Sequence, residues 1–268
     1  MKITLVEISR EFKDSEVELL KQNCAVLNQV FEEVSLVLVQ NANTVWDSEI
    51  VQLNPKACLT GPEDKPSAAA NRHTGALASD QLQDSWSLFL DADMELLPAF
   101  AKFLRDLAPS GPELALCDRI DRNPATNYQK RVRPIFIREN YLSLYGAFAT
   151  RGLSVADCIS VVDDLEEQWL LRNIKQKYPA IVQCYLPEIG IIHHDAKDIS
   201  TRMGRYIFEK RCIGFWQGLA LKYRDKLEFE DMIFLFRGRN IVQKLKLGVA
   251  IFFSFFPFIW RHINRDRH

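Results

Sequence analysis

The chain reads as an α/β protein: an open, mostly parallel sheet flanked by helices, followed by a basic, aromatic helical tail. Three observations carry that reading. Short apolar runs alternate with helix-period segments from residue 3 to residue 107, the rhythm of a sheet covered by helices. One of those runs, Trp86–Leu90, ends directly in the acids Asp91 and Asp93. Charge is also unevenly placed, with 14 Lys+Arg against 6 Asp+Glu between Ser200 and His268 in a chain whose total is −1.

Each element follows from its pattern. Ile3–Ile8 is a first strand, and Ser15 followed by Glu18 suggests a helix start. Val17, Leu19, Leu20, Cys24, Leu27 and Val30 continue it near the helical period. Val34–Val39 is apolar enough to be a strand buried on both faces, and Ile50–Leu53 reads as a third strand. Residues 54–66 carry three prolines and a glycine and read as loop. Ser67–Leu82 is an alanine-rich helix, Trp86–Leu90 the fourth strand, and Pro98–Leu107 a helix with proline in its first turn.

Beyond Pro109 the rhythm changes. Leu114–Cys117 and Val132–Ile137 read as strands, Asp163–Lys177 as an amphipathic helix, and Ile181–Leu186 and Ile189–His193 as strand-like. From Thr201 the chain reads as helical and basic, giving a main domain over 1–225 and a tail over 226–268. Leu247–Trp260 is uncharged and rich in phenylalanine, too short to span a bilayer, and bracketed by Arg237, Arg239, Lys244, Lys246, Arg261, Arg265 and Arg267. Such a segment can lie in a membrane interface, or pack on the protein body or a second subunit.

The totals exclude some classes. At 268 residues with 47% hydrophobic content the chain can bury a full core. Its near-zero net charge gives no reason to expect nucleic acid as a partner. The six cysteines are scattered with no C-x-x-C pair, which argues against a zinc or redox motif and fits reduced thiols in a cytoplasmic protein. Met1–Val6 enters a strand pattern directly and lacks the apolar length of a signal peptide.

Four stretches could carry chemistry. Asp91 and Asp93 can hold a divalent cation that in turn holds a diphosphate, or simply start a turn and cap a helix. The small residues of Ser67–Gly75, with Asn71 among them, either admit a phosphate to a helix start or pack tightly. Asp163, Asp164, Glu166 and Glu167 crowd one helix start, which suits a general base or a helix cap. His193 and His194 end an apolar strand, where imidazole can complete an oxygen-rich site for manganese or serve structure alone.

Taken in order, an N-terminal βαβ half, an Asn-bearing Ala-rich helix, Leu-Phe-Leu-Asp-Ala-Asp with Leu-Leu-Pro after it, an acidic helix start with Arg172 beyond, and a late His-ending strand form a set. The set resembles family 2 glycosyltransferases of the GT-A fold over residues 1–225. The resemblance implies a nucleotide-sugar donor and Mn2+ or Mg2+ held by the Asp-x-Asp motif. Asp93 would bind the metal directly, and Asp91 would touch the ribose or a metal-bound water. His193, then His194, would complete the metal shell. Glu166 would be the general base of an inverting displacement, with Asp164 and Asp163 as rivals.

The nucleotide-binding positions would include Ser9, Gln40, Asn71 and Asp91. Two of them lie in turns that depart from the family: Glu7-Ile8-Ser9-Arg10 stands where a Pro-x-Tyr/Phe-Asn-like turn is usual, and Gln40-Asn41-Ala42-Asn43 where an Asp near Gly-Ser is usual. The implied function is sugar transfer to a glycan or lipid-linked acceptor in envelope polysaccharide or glycolipid synthesis, on the inner face of the cytoplasmic membrane. The alternatives are a degenerate GT-A domain acting as a non-catalytic partner in a glycan-assembly complex, and a nucleotidyltransferase. The latter normally has a Gly-rich phosphate loop near the first strand, and Glu7–Ser15 contains no glycine.

Overall fold

The computed structural model describes residues 1–9, 11–41, 45–62, 68–80, 86–123, 128–132, 147–159, 166–194, 241, 242 and 245. Strands β1 (Lys2–Ile8), β2 (Glu33–Gln40), β3 (Ala57–Thr60) and β4 (Trp86–Asp91) form one half of a sheet. Three parallel pairings, β1 with β2, β1 with β4 and β2 with β3, hold that half together. Strands β5 (Met94–Leu96), β6 (Glu113–Asn123), β7 (Tyr128–Val132), β8 (Ala147–Arg151) and β9 (Val182–His194) extend it. The order is β3-β2-β1-β4-β8-β6-β9-β5, with β7 paired to β6 off that path. β8 runs antiparallel to β4, and β5 antiparallel to β9.

Burial explains why these segments are strands. In β1, Ile3 and Leu5 face one layer while Val6 and Ile8 face the other, and all four are buried. Helices α1 (Asp14–Asn28) and α4 (Pro98–Asp106) cover the first layer through Leu20, Leu27, Phe100 and Leu104. Each fully buried leucine there contributes roughly 1.5–3 kcal/mol. Helices α3 (Ala68–Ser79) and α5 (Glu166–Lys177) meet the second layer through Ala76, Leu170 and Ile174.

Several elements differ from the sequence reading. Ile50–Leu53 is not a strand; Ser48–Gln52 forms the short helix α2, capped where Asp47 Oδ1 accepts from the Glu49 backbone N–H at 2.7 Å. Five residues hold too little periodicity to separate helix from strand. The third strand, β3, lies inside the stretch read as loop, because its backbone pairs with β2 despite the prolines on either side. Strands β5 and β8 had no sequence reading, and Ile181–Leu186 and Ile189–His193 are one strand. Strand β7 covers Tyr128–Val132, ahead of the predicted Val132–Ile137, and residues 133–146 lie outside the described residues. The five described cysteines form no disulfide.

The chain divides into two compact units, Met1–Asp121 with Lys130–His194, and Arg122–Gln129 with Asp195–His268. The second unit contains Ile241, Val242 and Leu245, all exposed. The expected boundary at residue 225 and the aromatic run Leu247–Trp260 fall outside the described residues.

Glycine is required at one point that bears on the sheet edge. A Cβ on Gly190 of β9 would stand 2.6 Å from both Cys117 Sγ and Phe100 Cβ. Gly190→Ala must therefore push β9 away from α4 and β6. The expected cost is about 1–3 kcal/mol, read as a lower urea midpoint with unchanged slope.

Candidate active site

The strand order reverses at β1, which has β2 on one side and β4 on the other. The carboxyl ends beside such a switch point are where open α/β sheets bind ligands. Asp91 closes β4 next to Ile8 of β1, and the Ala92 N–H donates to Ile8 O at 3.0 Å. The Asp-x-Asp acids thus sit at that edge. They do not cap the following helix: α4 has Leu97 at its N-cap and no side-chain cap.

Two groups of residues meet here. On the β1–β2 side, Asn71 of α3 donates to Ser9 O at 2.9 Å and to Asn41 Oδ1 at 3.0 Å. The neighbouring Gln40 carbonyl accepts from the Gly61 N–H at 2.8 Å. Arg72, the next residue of α3, is buried and donates to Asp91 Oδ1 at 2.7 Å. Ser9, Gln40, Asn71 and Asp91, the four predicted nucleotide-side residues, are therefore gathered on one edge.

On the other side, β5 runs back along β9 with Met94 opposite His193. His193 Nε2 lies 3.4 Å from Asp93 Oδ2, and Nδ1 lies 3.1 Å from Asp121 Oδ1. Arg119 in turn pairs with Asp121 at 2.8 Å. Successive strand residues alternate faces, so His194 turns away from His193 and meets Glu95 Oε2 at 2.8 Å. Of the two histidines, His193 is the one set against Asp93.

The charges follow from these contacts. Burial opposes the positive form of His193, but the hydrogen bonds to Asp121 and Asp93 outweigh it and push the imidazole up to about 9. Burial likewise opposes ionised Asp121, yet His193 and Arg119 hold its carboxyl below the ordinary value. Glu7 of β1 is fully buried on the opposite face from Val6. Desolvation, against one hydrogen bond from Asn23 and with Glu16, Asp91 and Asp93 nearby, pushes it up to about 8.

Among the described residues, no group of three or more His, Cys, Asp or Glu side chains is placed to hold a metal ion. The smaller set nonetheless fits a hard or borderline cation. Two ligands at about 2.1 Å from one ion and at right angles stand about 3.0 Å apart, close to the 3.4 Å between Asp93 and His193. A carboxylate with an imidazole suits manganese. Asp121 on Nδ1 aims Nε2 at Asp93, the carboxylate–histidine support usual behind metal ligands. Mg2+ in phosphate-transfer sites commonly takes one or two protein groups and completes its shell with water and substrate phosphate.

Sequence reasoning missed Arg72, Arg119 and Asp121. Arg72 adjoins Asn71 in sequence but read as one more helix residue. Asp121 lies past the apolar Leu114–Cys117 run, in a stretch whose only signal was alternating charge. Glu166 opens α5, while Asp163 and Asp164 lie outside the described residues.

Comparison with solved structures places this architecture. The chain matches a mannosyltransferase from Pyrobaculum calidifontis, solved in complex with GDP-Man and Mn2+, at 12% identity and a TM-score of 0.51, covering 92% of this chain and 73% of that one. The fold is GT-A. TarS of S. aureus, residues 1–349, matches at 14% identity and a TM-score of 0.48 over 86% of this chain and 77% of that one. Glucosyl-3-phosphoglycerate synthase of Mycobacterium tuberculosis matches at 15% identity and 0.46 over 76% and 79%. No protein-family model and no curated protein matches the chain. In this GT-A chain the Asp-x-Asp turn lies at the end of β4, and the late histidine reaches it along β9.

Glu7 gives the pH test. A carboxyl with a raised folded value keeps its proton in the folded protein and loses it in the unfolded chain. Stability therefore falls as pH rises from about 4.5 to about 8. Glu7→Gln keeps an acceptor for Asn23 and cannot ionise. It is expected to flatten that slope and to raise Tm at pH 8 by about 2 °C or more, measured by calorimetry across the window.

Proposed function

We propose that the protein is a metal-dependent glycosyltransferase of family 2 type, moving a sugar from a nucleotide-sugar donor to a glycan or lipid-linked acceptor. The observation that carries this reading is the apposition of Asp93 and His193 at the carboxyl edge of a GT-A sheet, backed by Asp121. Asp93 and His193 would hold Mn2+ or Mg2+, which when bound neutralises charge on the leaving diphosphate. Binding it requires His193 to give up its proton, so metal affinity rises with pH. Asp91, oriented by Arg72, would face the ribose or a metal-bound water. Ser9, Gln40 and Asn71 would line the nucleoside.

The proposed chemistry is a single displacement. A carboxylate, Glu166 at the start of α5 or its rivals Asp163 and Asp164 just before it in sequence, takes the proton of the acceptor hydroxyl. That oxygen bonds to the anomeric carbon as the bond to the diphosphate oxygen breaks on the opposite side. Inversion follows, and the diphosphate leaves with the bonding pair. The setting would be envelope polysaccharide or glycolipid synthesis.

A second reading, a GT-A domain without turnover in a glycan-assembly complex, draws support from the unusual residues around Ser9 and Gln40 and is opposed by the pairings of Asp91 with Arg72 and of Asp93 with His193. One screen separates the two. UDP-, GDP-, dTDP- and CMP-sugars are tested with Mn2+ by thermal shift, since a ligand of the folded state raises Tm by mass action. One donor is expected to raise Tm and to be hydrolysed or transferred, with Asp93→Ala abolishing turnover. No response to any donor supports the second reading, and full activity in Asp93→Ala rules out its metal role.

The tail would dock the enzyme on the cytoplasmic membrane face through its basic residues and the aromatic run Leu247–Trp260. Among the described residues no helix is long and apolar enough to cross a membrane. Deleting Gly248–His268 is expected to abolish pelleting with anionic vesicles while leaving donor binding intact. A truncated protein that still pellets overturns the docking.

A further inference from the structure

Strand β5 is three residues long and lies at the end of the sheet, so among the described residues it has one strand neighbour, β9. Its backbone groups divide by parity. Asp93 O accepts from the His194 N–H at 2.8 Å, and the Leu97 N–H donates to Gly190 O at 2.9 Å, so these two turn toward β9. Met94 O and the Leu96 N–H turn the other way, toward α1 and into the core. Both meet a single side chain there. Asn23 donates to Met94 O at 2.9 Å, and its Oδ1 accepts from the Leu96 N–H at 2.7 Å.

An amide that binds the carbonyl before and the N–H after one residue stands in for the missing strand. Its second amide hydrogen goes to Glu7 Oε1 at 2.7 Å, which fixes the orientation of the side chain. Asn23 and Glu7 are both fully buried. Buried backbone groups left unpaired are costly, and α1 is otherwise an apolar-faced helix at this level, with Val17, Leu20, Cys24 and Leu27 buried. A leucine at position 23 would satisfy the packing and none of the three bonds.

We propose that Asn23, held by Glu7, is a positioning residue: by closing the outer edge of β5 it sets Asp93 against His193 and so forms the cation site. The inference rests on the transferase reading for what the site binds, and on geometry alone for how it is set. It assigns to α1, an element outside the edge that gathers the ligands, control over metal affinity.

Wild type, Asn23→Ala and Leu27→Ala are compared by amide hydrogen exchange and by calorimetric titration of Mn2+ with inorganic diphosphate. Leu27→Ala empties the core of the same helix and leaves the Asn23 bonds to β5 in place, and so reports general destabilisation. Asn23→Ala is expected to speed exchange at the Leu96 amide at least about tenfold and to weaken Mn2+ binding about 10–100-fold, the range found when support behind a metal ligand is lost. Leu27→Ala is expected to leave Mn2+ affinity unchanged. If Asn23→Ala does not fold, Asn23→Asp, which keeps the acceptor for Leu96 and loses both donors, is expected to show the same loss of Mn2+ affinity. A folded Asn23 variant that binds Mn2+ like wild type overturns the inference, as does equal loss in Leu27→Ala. Wild type that binds no Mn2+ overturns the transferase reading instead, and exchange at Leu96 then decides the positioning role by itself.

Discussion

The register of β5 on β9 is the constraint from which the rest of the site follows. With Met94 opposite His193, the residue just before β5 is Asp93, and the imidazole beside it is His193. A slip of one residue would send every side chain of β5 to the other face and undo the pairing of Met94 with His193. Three features hold the register. The Leu97 N–H donates to Gly190 O at the far end of the pairing. Gly190 itself lies so close to Phe100 and Cys117 that no side chain fits. Asn23 fills the outer edge.

The same register decides the electrostatics. Three acids crowd this part of the sheet edge, and each has its own cation: Asp91 has Arg72, Asp121 has Arg119, and Asp93 has protonated His193. Glu7, the fourth acid nearby, is kept protonated by burial. Pairing of this kind keeps neighbouring carboxylates compatible with a folded core. Two of the three pairings are guanidinium pairs that persist at any working pH. The third depends on the histidine proton.

Legibility in the sequence tracked how local the information was. The parallel half of the sheet was readable because β1, β2 and β4 are apolar runs whose burial needs no partner to be inferred, and Pro98 marks the start of α4 by itself. Strands β5 and β8 were not, since Met94–Leu96 and Ala147–Arg151 become strands only through pairing with β9 and β4. β3 was hidden by the prolines around it, and α2 by a run too short for either period. In the site, Asp91, Asp93, Asn71 and His193 stood out as polar residues at the ends of apolar segments. Asn23, Arg72, Arg119 and Asp121 did not. Their positions inside helix or strand patterns resemble ordinary surface residues, and only the tertiary contacts reveal that they are buried or paired.

The residues that close β1 and β2 are braced by the helices beside them. Asn71 ties Ser9 O to Asn41 through one amide nitrogen, and Gly61 approaches so closely that a Cβ there would fall 1.9 Å from Asn71 Oδ1. The Ser9 hydroxyl, donating to Glu11 O and bonded to Glu16 Oε2, fastens the first turn to α1. A side-chain brace from α3 and a hydroxyl anchored to α1 thus hold Ser9 and Asn41 at the carboxyl edge of the sheet.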